Sequence, residues 1–187
     1  MLNAQGHQGL LLFGGLIALV ILGRIQEILR SRRALAELSP RARAFDEPGT
    51  WPLMVLAHVL LLLLPCLELC WRGELIAPAL FWPSVVLIAC CTGLRLWTQW
   101  ALGAAWNARG VVDPDLGFET RGPYRYLRHP NYLAVGVEVV ALLLASSAWI
   151  SALLLLPLHT IILKRRIRAE DHAMNQLPGY TQAFSHQ

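Results

Sequence analysis

Charge is scarce in this chain. Only 15% of its 187 residues are Asp, Glu, Lys or Arg, against 56% hydrophobic, and the mean hydropathy is +0.48. A composition so poor in charge excludes an ordinary soluble domain. Cysteine is also sparse: the four cysteines lie in apolar runs, Cys66 and Cys70 one helical turn apart and Cys90 beside Cys91. No metal-type spacing with histidine appears, so they read as small hydrophobes and no metal site is expected. The net charge of +4 would suit a nucleic-acid partner, but the basic residues cluster beside apolar runs and are not interleaved on a soluble surface, which argues against one. A small-residue cleavage site is missing after the first apolar run, so that run is expected to stay as an anchor and not to leave as a signal peptide.

Long apolar runs are what the sequence has in abundance. A helix crosses the roughly 30 Å hydrocarbon core with about 20 apolar residues, so a chain of this length holds about five spans and one domain. The predicted first span is Gly9 to Leu29. A stretch from Arg24 to Glu47 then carries six arginines, with Ser39-Pro40 and Pro48-Gly49 marking turns in a partly helical loop. Trp51 to Trp71 reads as the second span, with tryptophans at both ends as an interfacial belt places them. After a short connection, Arg72 to Ala77, the third span runs from about Pro78 to Trp97. These three spans form a membrane scaffold over residues 1–100.

Residues 101–187 form the second part of the same domain. From Ala101 to Arg128 glycines and prolines recur too often for a further span, and a structured loop is expected. The apolar run resumes after Pro130 and is broken at Ser146-Ser147, leaving two limbs of about 15 residues, roughly 22 Å each, that read as a tight helical hairpin. Its second limb continues past Leu163 into Lys164, Arg165, Arg166 and Arg168, so it leaves the membrane as one helix. The expected class is an all-α integral membrane protein of about five transmembrane helices. Of the 16 Lys and Arg, all but Arg72 fall on one side of that topology. The positive-inside rule makes this side cytoplasmic and the N-terminus external. The loop and the end of the last long helix then face each other at the cytoplasmic surface.

The run Gly122-Pro123-Tyr124-Arg125-Tyr126-Leu127-Arg128-His129-Pro130-Asn131-Tyr132 is the densest polar feature of the chain. It suits a juxtamembrane anchor, with tyrosines at headgroup level, and equally a cofactor pocket built on His129 and the tyrosines. Arg166 and Glu170 stand at i and i+4 on one helix face. They suit a solvated ion pair, or a divided task in which the carboxylate accepts from a cofactor and the guanidinium holds an anion. Glu138 and Glu68 lie within spans. Glu138 is read as polar glue towards His159, His58 or Arg95 and Glu68 as close enough to the outer interface to be solvated.

Gly122-Pro123-Tyr124, Arg128 to Tyr132, and Arg166-Ile167 with Glu170-Asp171 together resemble the C-terminal signature of the isoprenylcysteine carboxyl methyltransferase family. The short bacterial branch resembling alkylpyrone O-methyltransferases is the nearer likeness. The resemblance implies S-adenosylmethionine as cofactor, contacted by Leu116, Gly117, Phe118, Glu119, Tyr124, His129, Pro130, Asn131, Tyr132 and Glu170. It ties Arg166 to the methyl acceptor as the catalytic residue. Asp171 departs from the family's usual second glutamate. Arg109 lies near a further family contact and is left unassigned. The implied partners are a lipophilic acceptor entering from the bilayer and the membrane lipids themselves, in a bacterial inner membrane. The acceptor atom would be an oxygen of a carboxylate, enol or phenol, and the absence of a dedicated base favours acidic acceptors.

Two other classes compete. A membrane reductase of sterol-reductase-like architecture would need cations for dinucleotide phosphates, and Gly110 to Thr120 has no Lys or Arg. A non-enzymatic membrane scaffold would keep the fold and bind no cofactor.

Overall fold

The computed structural model describes residues 4–45, 50–73 and 77–184. The turn expected at Pro48-Gly49 and the middle of the connection after Arg72 lie outside the described residues. Five long helices dominate: α1 (Ala4–Ala36), α2 (Thr50–Arg72), α3 (Pro78–Leu102), α4 (Pro130–Ser146) and α5 (Trp149–Met174). A short α6 (Tyr180–Ala183) follows. Two elements were not expected of an all-α chain: β1 (Arg43–Ala44) and β2 (Val111–Val112) pair antiparallel. That ladder fastens the chain after α1 to the loop after α3.

The first helix runs past its apolar segment. The sequence predicts an end near Leu29, whereas α1 continues through Arg30, Arg32 and Arg33 to Ala36. Arginine, leucine and alanine are strong helix formers, and no glycine or proline intervenes until Pro40. Likewise α3 extends beyond Trp97 to Leu102, where Gly103 (φ +54) ends it. Pro78 and Pro130 occupy the first turns of α3 and α4, where a missing N–H costs nothing.

Three helical segments, Gly9–Ala36, Thr50–Arg72 and Pro78–Ala105, are long and apolar enough to cross a membrane, and Pro130–Ser146 is a shorter apolar helix. Leu11, Leu67, Val86 and Leu153 are among many large apolar side chains left on the outside, as lipid-facing surfaces require. The interior is packed by Phe13, Leu61, Phe81, Ile88, Leu142 and Leu155, contributed by all five long helices. The chain is an integral membrane protein.

The break at Ser146-Ser147 becomes a two-residue turn between α4 and α5. Ser147 sits at φ 51, and Ser147 N and Ala148 N donate to Leu144 O (3.0 Å) and Leu143 O (3.4 Å), closing α4. Glu68 of α2 accepts from Ile150 N (3.1 Å), Ser151 N (2.7 Å) and Ser151 Oγ (2.7 Å). It thereby caps the start of α5 from another helix. Arg72 completes the arrangement, donating to Glu68 (3.2 Å) and to Ser147 O (3.2 Å). The expectation that Glu68 is solvated is therefore corrected: its residue is 7% exposed, because the first turn of α5 needs an acceptor there.

The second buried carboxylate is glue, with a partner the sequence did not suggest. Glu138 on α4 pairs with Arg24 of α1 and with Arg95 of α3 at 3.4 Å. Glu27 of α1 binds Arg24 (2.6 Å), Arg95 (2.5 and 2.7 Å) and Gln99 (3.1 Å). Two arginines and two glutamates thus balance one another between three helices.

Candidate functional site

The loop after α3 is held by its own polar side chains. Asn107 Nδ2 donates to Val111 O at 2.7 Å and Val111 N donates back to Asn107 Oδ1 at 2.9 Å. Ala108 N donates to Ser31 Oγ of α1 at 2.9 Å. Asp113 accepts from Ser39 N and Ser39 Oγ, both at 2.7 Å. These bonds hold the Asp113 carboxyl below its ordinary range, the Ser39 hydroxyl contributing most. The turn at Gly122 (φ +60) rests on α3, where a Cβ would meet Ala101 at 3.1 Å and Trp97 at 3.2 Å, so only glycine fits.

Arg166 lies under this loop and is 4% exposed. It donates to Ala108 O at 2.8 Å, and its guanidinium stands 5.7 Å from the ring centre of Phe45. Gly110 (φ +76) lets these groups meet, since a Cβ there would fall 2.7 Å from Phe45 and 3.0 Å from Arg166. The sequence expectation that the loop and the end of the last long helix face each other holds in the structure.

Where the first turn of α4 meets the far end of α5, Tyr132 donates its hydroxyl to Glu170. His129 Nε2 lies 2.9 Å from Asp171 Oδ1 and its Nδ1 lies 3.8 Å from Glu170 Oε1. Asp171 therefore keeps a working contact despite being shorter than a glutamate. Glu170, past the apolar part of α5, is pushed above the ordinary carboxylate range by burial, against the pull of Tyr132, His129 and Arg166. Burial, then the negative charge of Glu170, raises the Tyr124 phenol, which stays protonated. Glu119 is drawn down to about 2 by the Arg121 guanidinium, which it meets at 2.9 Å, and by the Thr120 and Arg121 amides at 2.9 and 2.8 Å.

These groups open on one cavity of about 700 Å³. Gly117, Phe118, Glu119, Tyr124, His129, Asn131, Tyr132, Arg166 and Glu170 all line it. Leu116 and Pro130 do not: Leu116 points outward at 47% exposure, and Pro130 is buried at the start of α4. From the polar end the cavity passes between helices, walled by Ile21, Ile25 and Ile28 of α1, Val55 and Val59 of α2, and Val135 and Val139 of α4. It is an amphiphilic space, polar under the loop and mainly apolar between the helices, where His58, His159 and the Arg24, Glu27 and Arg95 cluster also reach it.

The tail contributes residues that the sequence reading passed over. Tyr180, Phe184 and Leu177 pack with Phe118 into a small second core, and Met174, Tyr180 and Phe184 line the cavity. Arg128 lies 5.1 Å over the Tyr180 ring, donates to Asn175 Oδ1 at 3.2 Å and meets Asp171 at 3.3 Å. The signal was present in Pro178-Gly179-Tyr180, where Gly179 (φ +82) turns the chain back.

Residues 84–176 match the isoprenylcysteine carboxyl methyltransferase (ICMT) family. An uncharacterized protein of Bacillus subtilis, YpbQ, is 26% identical over 166 residues, 88% of this chain and 98% of that protein. An uncharacterized protein of Haemophilus influenzae is 33% identical over 95 residues, 50% of this chain and 55% of its own length. No solved structure matches. The matched region contains α4, all of α5 and the loop between α3 and α4, including His129, Tyr132, Arg166 and Glu170. Over residues 84–176 this chain belongs to the isoprenylcysteine carboxyl methyltransferase family, a family of membrane methyltransferases.

Proposed function

We propose that the protein transfers a methyl group from S-adenosylmethionine to an oxygen of a lipophilic acceptor at the cytoplasmic face of a bacterial inner membrane. The observation that carries this reading is the amphiphilic cavity of about 700 Å³, whose polar end gathers side chains of the family signature and whose other end is walled by helices long and apolar enough to cross a membrane. In this reading the whole chain is one domain. Helices α4 and α5 complete five crossings, with the N-terminus outside and the basic ends of α1, α3 and α5 inside.

The residues at the polar end suit the cofactor's chemistry. A sulfonium with an ammonium, a carboxylate and a ribose calls for anions, a cation and aromatic surfaces. Glu170 and Glu119 supply the anions, Arg128 the cation, and Phe118, Tyr124 and Tyr132 the surfaces, with His129 and Asn131 as polar contacts. Gly117 leaves space for close approach, while Leu116 and Pro130, outside the cavity lining, only shape the loop and the start of α4. Bound there, S-adenosylmethionine supplies an electrophilic methyl group.

Arg166 presents a guanidinium to the same cavity, so it holds the acceptor oxygen as an anion. Alignment of the two reactants is then the main contribution of the protein. An acidic enol or carboxylate needs no base at this point. The nearer likeness to alkylpyrone O-methyltransferases puts an alkylpyrone enol ahead of a prenylcysteine carboxylate as acceptor.

The test is transfer of labelled methyl from S-adenosylmethionine into organic-extractable product by detergent-purified protein, offered an alkylpyrone or a prenylcysteine. Labelled product with wild type, reduced about 100-fold in Arg166→Lys, is expected. No labelled product from either acceptor would oppose the reading.

A further inference from the structure

Deep in the apolar arm of the cavity, two histidines meet from different helices. His58 of α2 and His159 of α5 stand edge to face, ring centres 5.3 Å apart at 69°, and both line the cavity. Each turns its Nδ1 to the carbonyl one turn earlier on its own helix, His58 to Met54 O at 2.8 Å and His159 to Leu155 O at 2.9 Å. A neutral imidazole whose Nδ1–H donates carries its lone pair on Nε2. His159 is 7% exposed, and its Nε2 is buried without a hydrogen-bond partner among the described residues.

A purely aliphatic ligand would leave that nitrogen unsatisfied, whereas an O–H or N–H donor would satisfy it. Position separates the pair from the methylation end. His159 lies seven residues before Arg166 on α5, roughly 10 Å along the axis at 1.5 Å per residue.

We propose that His58 and His159 form an acceptor station that binds a hydrogen-bond donor on the lipidic substrate, separate from the oxygen that is methylated. This rests on the methyltransferase reading and narrows its substrate class to lipids with a second polar group, an O–H or N–H; an alkylpyrone then fits only when its alkyl chain carries such a donor, because its one enol hydroxyl is the group methylated. Such a station discriminates strongly, because a site built to hydrogen-bond a hydroxyl rejects the analogue that lacks it.

The test uses a matched pair of probes, 3-(5-hydroxypentadecyl)phenol, the diol, and 3-pentadecylphenol, the phenol, which differ by one hydroxyl placed on the tail so that it can reach the histidines while the phenol oxygen stays at the polar end. Their binding to the full chain in detergent is measured for wild type, His159→Phe and His159→Gln, and S-adenosylmethionine binding is measured on the same samples. Wild type is expected to favour the diol by about tenfold or more. His159→Phe should lose that preference while binding the phenol as before, and His159→Gln, which keeps an acceptor, should retain part of it. Equal binding of the two probes to wild type, binding of neither, or a preference that survives in His159→Phe would overturn the station. A protein that binds S-adenosylmethionine yet fails the lipid comparison sinks this proposal alone; one that binds no S-adenosylmethionine sinks the methyltransferase reading.

Discussion

Tyr132 donates its hydroxyl to Glu170, so the first turn of α4 and the cytoplasmic end of α5 are joined at the polar end of the cavity. Tyr132→Phe keeps the ring and removes the donor, leaving the buried carboxylate short of a charge-assisted bond worth about 1.5–3 kcal/mol. The affinity for S-adenosylmethionine should fall about tenfold or more with cooperative melting preserved. Titration calorimetry on detergent-purified protein checks this; unchanged affinity would remove Glu170 from the cofactor's contacts.

The pair of arginines and pair of glutamates between α1, α3 and α4 should be strongly coupled. Glu138→Gln leaves Arg24 and Arg95 to share Glu27, and breaking such a buried set costs about 3–5 kcal/mol. Replacing Arg24 and Glu138 together by methionine removes both charges and should cost less than either single change. Thermal denaturation of the four proteins gives the comparison, and additive losses would speak against coupling.

Glu68→Ala removes the acceptor for the start of α5 and the partner of Arg72. A loss of about 2 kcal/mol, the scale of a lost cap, is expected, with the hairpin turn becoming the first region to exchange amide hydrogens. Exchange confined to other segments would contradict the capping role.

Acidification should act on the two cavity carboxylates in opposite order. Glu119 is held down at about 2, below its unfolded range. Its contribution to stability is therefore complete above that range and lost only as pH falls towards about 2. Glu170 is shifted upward by burial, so its ionised form is disfavoured in the free protein and a cationic ligand must draw it out. The affinity for S-adenosylmethionine should therefore rise with pH as Glu170 ionises, and the rise should vanish in Glu170→Gln. Carboxyl NMR should show Glu119 ionised throughout, its midpoint moving up in Arg121→Gln. A pH response that persists without Glu170 would assign it elsewhere.

The helical class and the hairpin were legible because long apolar runs and the Ser146-Ser147 break report directly on length and period. The meeting of Arg166 with the loop was legible from charge topology. What escaped were relations between distant residues. The Ser39 bonds to Asp113, the Glu68 cap and the pairing of Arg24 with Glu138 each join positions far apart in sequence, and a single sequence carries no signal for such pairs. The end of α1 was legible only in part: the stretch after Leu29 reads as a partly helical loop, and its arginines, good helix formers, carry α1 unbroken to Ala36. Leu116 illustrates the converse: a position implied by the resemblance whose side chain faces outward, away from the cavity.

The central claim, that the loop and the ends of α4 and α5 hold S-adenosylmethionine, is tested most directly by calorimetry of that cofactor with wild type, His129→Ala and Glu170→Ala. Saturable binding to wild type, weakened in both variants while melting stays cooperative, is the expected result. Well-folded wild type that does not bind S-adenosylmethionine, above all if it binds a nicotinamide dinucleotide, would contradict the account.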